Sequence, residues 1–274
     1  MVLLKAGILT IGNEVLDGLV LDTNANWMEI RLTALSAEIH RLVAVRDIKG
    51  EIGAALDFLV GSCQLIVTSG GLGPTHDDMT LEAIAAHLGL PLVEDREALA
   101  IVERQYKMLS DKGIVADSYI SEPRKKMTRI PEGSIPLDNR VGGAPGVMLE
   151  VTDTTIFCLP GVPAELKYIF ENSVEPWVED RIAETYFEKI VEFGFKDESV
   201  FAPFIDRAMK KTPGVYIKSM PRKYGTTDVL RVWVSARGKD REALEDLVKD
   251  AIEYIAAESG QSPIYVEGRQ ETGR

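Results

Sequence analysis

The sequence is poor in the residues that mark secreted and membrane-spanning proteins. It has two cysteines among 274 residues. Cys63 and Cys158 each lie inside an apolar, strand-like run, which argues against a disulfide framework and indicates a reduced, cytoplasmic protein. No apolar run approaches the roughly 20 residues that a membrane-spanning helix needs. The N-terminal apolar run reaches Gly12-Asn13-Glu14 too early for a signal peptide.

Positive charge is also scarce. Lys and Arg number 31 against 43 Asp and Glu, so the formal net charge is −12. A uniformly acidic surface repels phosphate backbones, which disfavours general nucleic-acid and anionic-membrane binding. The exception is the segment 207–227, which carries six basic residues and no acid. It lacks the Gly-x-x-Gly clamp of a KH module, so a solvated face or an interdomain contact is the preferred interpretation and nucleic-acid binding is not expected.

The first half of the chain alternates strand and helix signals. Apolar runs at 6–11, 39–45 and 65–68 are each followed by a segment of helical spacing. Such alternation predicts right-handed crossovers and a parallel sheet covered on both faces. We therefore expect a three-layer α/β/α sandwich with a mostly parallel sheet.

Beyond residue 90 the pattern is less regular. It predicts a long helix over 94–112, an irregular segment over 114–131, short strands near 135–137, 147–151 and 155–159, and a helix from Pro163 to about Trp177. From Tyr186 onward the order β-α-β-β-α predicts a small α+β domain of ferredoxin-like or KH-like outline. The sequence thus predicts two domains, 1–183 and 184–274.

The most distinctive segment is a glycine-rich loop between a buried strand and a helix, Thr68-Ser69-Gly70-Gly71-Leu72-Gly73-Pro74-Thr75-His76-Asp77-Asp78-Met79-Thr80. Glycines allow backbone N–H groups to turn inward, and a helix N-terminus adds partial positive charge, so the loop is suited to a phosphate. Two adjacent carboxylates beside a phosphate favour a bridging divalent cation. The alternative is a tight turn in which Asp77 or Asp78 only caps the helix. The loop matches neither the Walker A nor the Gly-x-Gly-x-x-Gly pattern.

Other polar residues follow strands of the predicted sheet. Glu14 follows the first strand, Asp47 the second, and glycine-rich loops lie at 139–146 and 160–165. In open parallel sheets the carboxyl ends of the strands line the ligand crevice. Each carboxylate taken singly is more consistent with a solvated loop residue. The shared position of Glu14, Asp47, Asp77 and Asp78 at one sheet edge favours a common site.

These segments resemble the N-terminal module of the competence/damage-inducible CinA family, within the MoaB/Mog-like molybdopterin-binding superfamily. The resemblance is strong over about residues 4–180. The matching stretches, in the family's order, are Ile11-Gly12-Asn13-Glu14, Asp17-Gly18, Asp22-Thr23-Asn24, Gly70-Gly71-Leu72-Gly73-Pro74-Thr75-His76-Asp77-Asp78-Met79-Thr80, Asn139, Gly142-Gly143-Ala144-Pro145-Gly146 and Pro160-Gly161-Val162-Pro163-Ala164-Glu165.

The resemblance implies a phosphorylated or nucleotide-like ligand on the glycine loop with a divalent metal nearby. Members of this kind are associated with hydrolysis of nucleotide pyrophosphates such as ADP-ribose and FAD, and relatives in molybdenum-cofactor synthesis bind molybdopterin. Asp78 and Thr80 match the superfamily's Asp and Thr, and Asp47 falls where relatives carry another functional Asp. Relatives self-associate, so a dimer or trimer is expected. The family's deamidase domain has no counterpart here, so deamidation is not expected, and Arg124-Lys125-Lys126-Met127 departs from the usual pattern.

The sequence therefore predicts a metal-dependent hydrolase that converts an ADP-ribose-type or FAD-type diphosphate to AMP and a phosphorylated product. The alternative is a molybdopterin- or nucleotide-binding protein without hydrolytic activity. The predicted metal is Mg²⁺, with Mn²⁺ or Co²⁺ as substitutes, and the partner is a small phosphorylated nucleotide or pterin. The candidate catalytic residues are Asp78, Asp47 and Glu14, the metal ligands Asp77 and Asp78, and the ligand-binding residues Gly70, Gly71, Leu72, Gly73, Thr75, Thr80, Asn139, Gly142, Gly143, Pro145, Gly146, Pro160 and Gly161.

Overall fold

The computed structural model describes residues 3–220 and 228–266. The chain divides into two compact units, with the boundary between Ile182 and Ala183. Part of the basic segment singled out above, including Arg222 and Lys223, lies outside the described residues. None of the helices in the described ranges combines the length and the apolar character needed to cross a membrane.

The N-terminal unit is built from alternating strands and helices. Its described strands are β1 (Lys5–Ile11), β2 (Glu38–Val45), β3 (Leu65–Ser69), β4 (Leu92–Glu94), β5 (Arg129–Pro131), β6 (Ile135–Leu137), β7 (Gly146–Val151) and β8 (Thr154–Leu159). Its described helices are α1 (Asn13–Leu16), α2 (Thr23–Ala34), α3 (Lys49–Leu59), α4 (Thr80–Leu88), α5 (Arg96–Asp111), α6 (Glu122–Lys126), α7 (Pro163–Ile169), a π-helical turn (Phe170–Val174) and α8 (Glu175–Glu179).

The central sheet confirms the predicted fold class. Its strand order is β2-β1-β3-β8-β7-β6, with the first four strands parallel and β7 and β6 antiparallel to their neighbours. The central strands β3 and β8 are buried along their whole length, as expected for strands covered on both faces. One core packs the sheet against α3, α4 and α5, and a second packs it against α2, α7 and α8. The unit is a three-layer α/β/α sandwich.

Two local predictions need correction. The helix predicted to begin at Glu94 begins at Arg96, because Glu94 pairs in β4 and the Asp95 side chain accepts the backbone N–H groups of Glu97 and Ala98. The segment predicted to be irregular contains α6 and β5. Strand β5 pairs with β4, which is distant in sequence, so the local pattern gave no signal for it.

The C-terminal unit is a two-layer sandwich. Its described elements are β9 (Thr185–Phe193), α9 (Glu198–Lys211), β10 (Val215–Met220), β11 (Leu230–Gly238), α10 (Arg241–Ser259) and β12 (Ile264–Val266). The strand order β10-β11-β9-β12 is antiparallel throughout, and α9 and α10 pack on one face. This β-α-β-β-α-β order is the ferredoxin-like arrangement rather than the KH-like one.

The two cysteine thiols are expected to be unreactive in the folded protein. Cys63 is 3% and Cys158 0% exposed, and burial raises the pKa of the Cys158 thiol to about 12 and also raises the pKa of Cys63. Since the thiolate is the reactive form, a thiol reagent at neutral pH should label neither residue until denaturant unfolds the chain. Rapid labelling of either cysteine without denaturant would contradict this packing.

Candidate functional site

A cleft of about 490 Å³ opens at the carboxyl ends of the parallel strands β1, β2, β3 and β8. The loops that leave these four strands supply most of its lining, as expected for a ligand crevice of an open α/β sheet. The structure thus brings together residues that are far apart in sequence. The predicted site residues that line the cleft are Glu14, Asp47, Gly70, Gly71, Leu72, Gly73, Asp77, Asp78, Gly143, Pro160 and Gly161.

Two glycines of the loop occupy positions where the backbone conformation and the neighbouring atoms leave no room for a side chain. Gly70 has φ +107°, and a Cβ there would lie 2.1 Å from the carbonyl oxygen of Ile11. Gly71 has φ +71°, and a Cβ would lie 2.2 Å from Oγ1 of Thr80. Side chains rarely adopt such φ values, and neither position has room for one. These glycines are therefore required for the loop to fold, whatever it binds.

The same loop contains consecutive backbone N–H groups that have no hydrogen-bond partner in the described part of the chain. Gly70 donates its N–H to the carbonyl of Leu159 at 3.0 Å. The next three residues, Gly71, Leu72 and Gly73, donate no backbone hydrogen bond to any described part of the chain, and all three line the cleft. Backbone donors without a protein partner require water or a ligand, and successive free N–H groups form an anion-binding concavity.

The side chains of Asp77 and Asp78, which follow the loop, do not accept hydrogen bonds from the first turn of helix α4, as a helix cap would. Asp78 accepts the backbone N–H of Thr75 at 2.8 Å, and the Thr75 hydroxyl lies 2.5 Å from both Asp77 and Asp78. Helix α4 begins after Met79 without a side-chain cap. The capping interpretation of the two aspartates is therefore wrong. The hydrogen bond from the Thr75 hydroxyl lowers the pKa of the Asp77 carboxyl.

Glu14 and Asp47 line the same cleft as the glycine loop. Asp47 follows β2, and one of its carboxylate oxygens accepts the backbone N–H of Asn13 at 2.8 Å. That bond joins the loops after β1 and β2. Glu14 is exposed in the turn of α1. The structure thus gives Asp47 a structural partner and leaves the Glu14 carboxylate facing solvent.

Asn139 organises the loop that carries Gly143 and Ala144, and it does so from a fully buried position. Its side-chain amide donates to the Ala144 carbonyl at 2.7 Å and to Glu165 at 2.6 Å. Its side-chain oxygen accepts the N–H groups of Val141 and Gly142 at 2.9 and 3.0 Å. With these four hydrogen bonds the side chain folds the loop over itself, and it does so from behind the surface that faces the cleft.

The remaining predicted ligand-binding residues also lie outside the cleft lining. The Thr80 hydroxyl donates to the carbonyl of Gly70 at 2.8 Å, and Gly146 packs inside β7 against Ile169. Gly142 and Pro145 are buried, and Thr75 is exposed but turned toward Asp77 and Asp78. In this structure these residues shape the loops that carry the lining.

Sequence reasoning missed Glu165 as a site residue. It lies in the first turn of α7, directly after the loop that follows β8, and its carboxyl lines the cleft. Burial raises the pKa of this carboxyl, partly offset by hydrogen bonds from the Asn139 side chain and the Ala144 backbone. The strand-end argument applied to Glu14 and Asp47 would have found it. Tyr106, on α5, also lines the cleft, and no local signal pointed to it.

A second cavity of about 430 Å³ shares the wall formed by Gly71, Leu72 and Gly73. Lys126 and Arg129 line it, and the ammonium group of Lys126 donates to the Thr75 carbonyl. Lys125, the preceding residue, instead pairs with Glu94 at 3.0 Å.

A metal ion in the cleft would be held by oxygen atoms, because the charged side chains that line it are carboxylates. Within residues 3–220 and 228–266, no group of three or more His, Cys, Asp or Glu side chains is arranged to hold a metal ion. Asp77 and Asp78 offer two adjacent carboxylates, and Mg²⁺ is commonly held by one or two carboxylates together with substrate phosphates. The donor set fits a divalent ion that binds together with a phosphorylated ligand.

The fold and the cleft define an α/β/α domain with a cleft at the carboxyl ends of its parallel strands. The chain belongs to the family described as "Probable molybdopterin binding domain", whose model matches residues 7–180. This match covers the unit that contains the cleft.

Relatives extend over almost the whole chain. A protein of Aeropyrum pernix is 38% identical over 261 residues, 92% of this chain and 92% of that one. A protein of Pyrobaculum arsenaticum is 37% identical over 253 residues, 91% and 92% of the two chains. Among solved structures, the CinA protein of unknown function from Thermoplasma acidophilum superposes with a TM-score of 0.58 at 35% identity. That match covers 64% of this chain and 98% of the other.

Substituting Gly70 tests the packing of the loop. Gly70→Ala should lower the free energy of unfolding by more than about 1 kcal/mol, because both φ and the Ile11 carbonyl oppose a side chain. Gly50→Ala is the matched control, since a Cβ at that exposed helical position meets nothing within 4 Å. The control should change the stability by less than about 1 kcal/mol. Equal denaturation midpoints for both variants would contradict the loop geometry.

Proposed function

We propose that the N-terminal unit binds a small phosphorylated pterin or nucleotide in the strand-end cleft. The observation that carries this proposal is the run of N–H groups at Gly71, Leu72 and Gly73, which have no hydrogen-bond partner among the described residues and belong to residues that line the cleft. Such a run suits the oxygens of a phosphate group. Membership of the molybdopterin-binding family supports a pterin as the organic part of the ligand.

Metal-assisted hydrolysis of a nucleotide diphosphate is the second candidate. The observation that favours it is the concentration of carboxylates on one cleft, which is lined by Glu14, Asp47, Asp77, Asp78 and Glu165. Carboxylates repel a phosphate unless a cation compensates them, so a site with this composition suits a divalent ion. Such an ion, held by Asp77 and Asp78, would supply charge neutralisation and a more acidic water.

In this second candidate function, hydrolysis, different groups of the protein have different roles. The N–H groups of Gly71, Leu72 and Gly73 orient the diphosphate. Glu14 accepts the proton of the attacking water, because one oxygen of Asp47 is already engaged by the Asn13 N–H. Addition of that water across the phosphoanhydride then gives AMP and a second phosphate ester.

Binding can be tested at the third glycine of the loop. A Cβ at residue 73 would lie 2.6 Å from a carboxylate oxygen of Asp78, beside the free N–H groups. We expect Gly73→Ala to weaken binding of a pterin phosphate or of ADP-ribose by roughly tenfold or more, as loss of one or two charge-assisted hydrogen bonds would. Calorimetry of wild type, Gly73→Ala and Gly50→Ala measures this. Undiminished affinity in Gly73→Ala would show that the phosphate lies elsewhere.

Hydrolysis can be tested separately by chromatography of ADP-ribose and FAD after incubation with Mg²⁺, Mn²⁺ or Co²⁺. Wild type should release AMP only with metal, and Asp78→Ala should abolish release while its melting temperature stays close to that of wild type. Asp111→Ala, which removes an exposed aspartate at the end of α5, is the control and should remain active. Full activity in Asp78→Ala would refute the assignment. Binding without any product would leave the pterin- or nucleotide-binding proposal standing alone.

A further inference from the structure

The Asp22-Thr23-Asn24 segment is one of the matching stretches of the sequence that the proposed function does not use. It lies where helix α2 begins, and none of its three residues lines the cleft. One oxygen of the Asp22 carboxylate caps the helix by accepting the Ala25 N–H at 2.9 Å. The other accepts the hydroxyl of Thr10, near the end of β1, at 2.6 Å. These contacts account for Asp22 but not for Asn24.

The side-chain amide of Asn24 joins two loops of the cleft. Its nitrogen donates to the hydroxyl oxygen of Ser69 at 3.0 Å and to the carbonyl oxygen of Gly161 at 2.7 Å. Ser69 ends β3, immediately before the glycine loop, and Gly161 lies in the loop after β8 and lines the cleft. The two loops touch here, since a Cβ on Gly161 would lie 3.4 Å from Cα of Gly70. One amide group thus holds both loops where they meet.

The same side chain leaves one buried atom unpaired. Asn24 is 9% exposed, and its side-chain oxygen has no hydrogen-bond partner among the described residues. Because a carbonyl oxygen only accepts, the amide nitrogen and not the amide oxygen must face Gly161. A buried acceptor without a donor destabilises a fold, and such groups are rare enough in proteins to need a specific reason. The contacts of the amide nitrogen supply that reason.

Resting on the proposed function, we propose that Asn24 is a positioning residue of the strand-end cleft. It fixes the loop after β8 against the start of the glycine loop, and thereby the spacing of two loops that line the same cleft. Without the amide nitrogen the Gly161 carbonyl is unpaired, and a buried carbonyl without a partner moves until water or another donor satisfies it. The loop after β8 then shifts relative to the glycine loop, and the phosphate of the ligand is held less well.

The competing explanation is that Asn24 serves only the stability of the fold. Its replacement then lowers the melting temperature, but the molecules that remain folded bind a ligand with unchanged affinity. A positioning role lowers the affinity of the folded protein itself. Thr10→Val separates the two explanations, because it removes the hydrogen bond between the buried Thr10 hydroxyl and Asp22 but keeps both hydrogen bonds of Asn24.

The experiment measures the affinities of the full chain for ADP-ribose and for a pterin phosphate by calorimetry, at a temperature well below every melting transition. The proteins are wild type, Asn24→Leu, which keeps a branched side chain, Asn24→Ala, which adds no bulk, and the control Thr10→Val. We expect both Asn24 variants to bind each probe roughly tenfold more weakly than wild type, the effect of losing one well-placed hydrogen bond. Thr10→Val should bind with wild-type affinity although its melting temperature falls.

The two probes share only their phosphate groups, so a shift of the loops at the phosphate weakens both. Weakening of one probe alone, where wild type binds both, overturns the assignment, and where wild type binds a single probe that probe decides. Wild-type affinity in either Asn24 variant refutes the positioning role. Equal weakening in Thr10→Val, or failure of both Asn24 variants to fold, assigns Asn24 to stability and refutes it as well. Absence of wild-type binding to both probes instead removes the proposed function.

Discussion

The close approach of Gly70 to the Ile11 carbonyl fixes the ends of two neighbouring parallel strands against each other. A Cβ at residue 70 would lie 2.1 Å from that oxygen, and the Gly70 N–H is bonded to Leu159 at the end of β8. Three strand ends are thus joined by one residue without a side chain. Because the loop is tied at this point, the residues that follow, Gly71, Leu72 and Gly73, leave the sheet and line the cleft.

Asn139 has the corresponding role for another loop that lines the cleft. Its four side-chain hydrogen bonds close the loop that carries Gly143 and Ala144, and one of them reaches Glu165 on α7. A buried amide is costly unless its donors and acceptor are paired, and here both kinds of group are. Side-chain hydrogen bonds therefore determine the conformation of this loop. In the glycine loop, by contrast, the conformation depends on the absence of side chains at Gly70 and Gly71.

The sequence predicted those parts of the molecule that depend on local pattern. Alternating apolar runs and helical spacing were sufficient for the three-layer sandwich, and the strand-end argument brought Glu14, Asp47 and Asp78 to one edge. What it could not predict depends on contacts between distant segments. Tyr106 reaches the cleft from the long helix α5, and β5 exists because it pairs with β4. The four side-chain hydrogen bonds of buried Asn139 likewise depend on tertiary packing, so local pattern could not predict them.

The cleft divides into two electrostatic environments, and this division bears on which ligand it suits. Near the glycine loop, exposed Asp77 has a lowered pKa, so its carboxylate stays charged and demands a cation whenever a phosphate is near. At Glu165, burial raises the pKa of the carboxyl, so its charged form is favoured only where hydrogen-bond donors compensate for the lost water. A ligand suited to both environments would bring phosphate oxygens to the glycine loop and hydrogen-bond donors to Glu165.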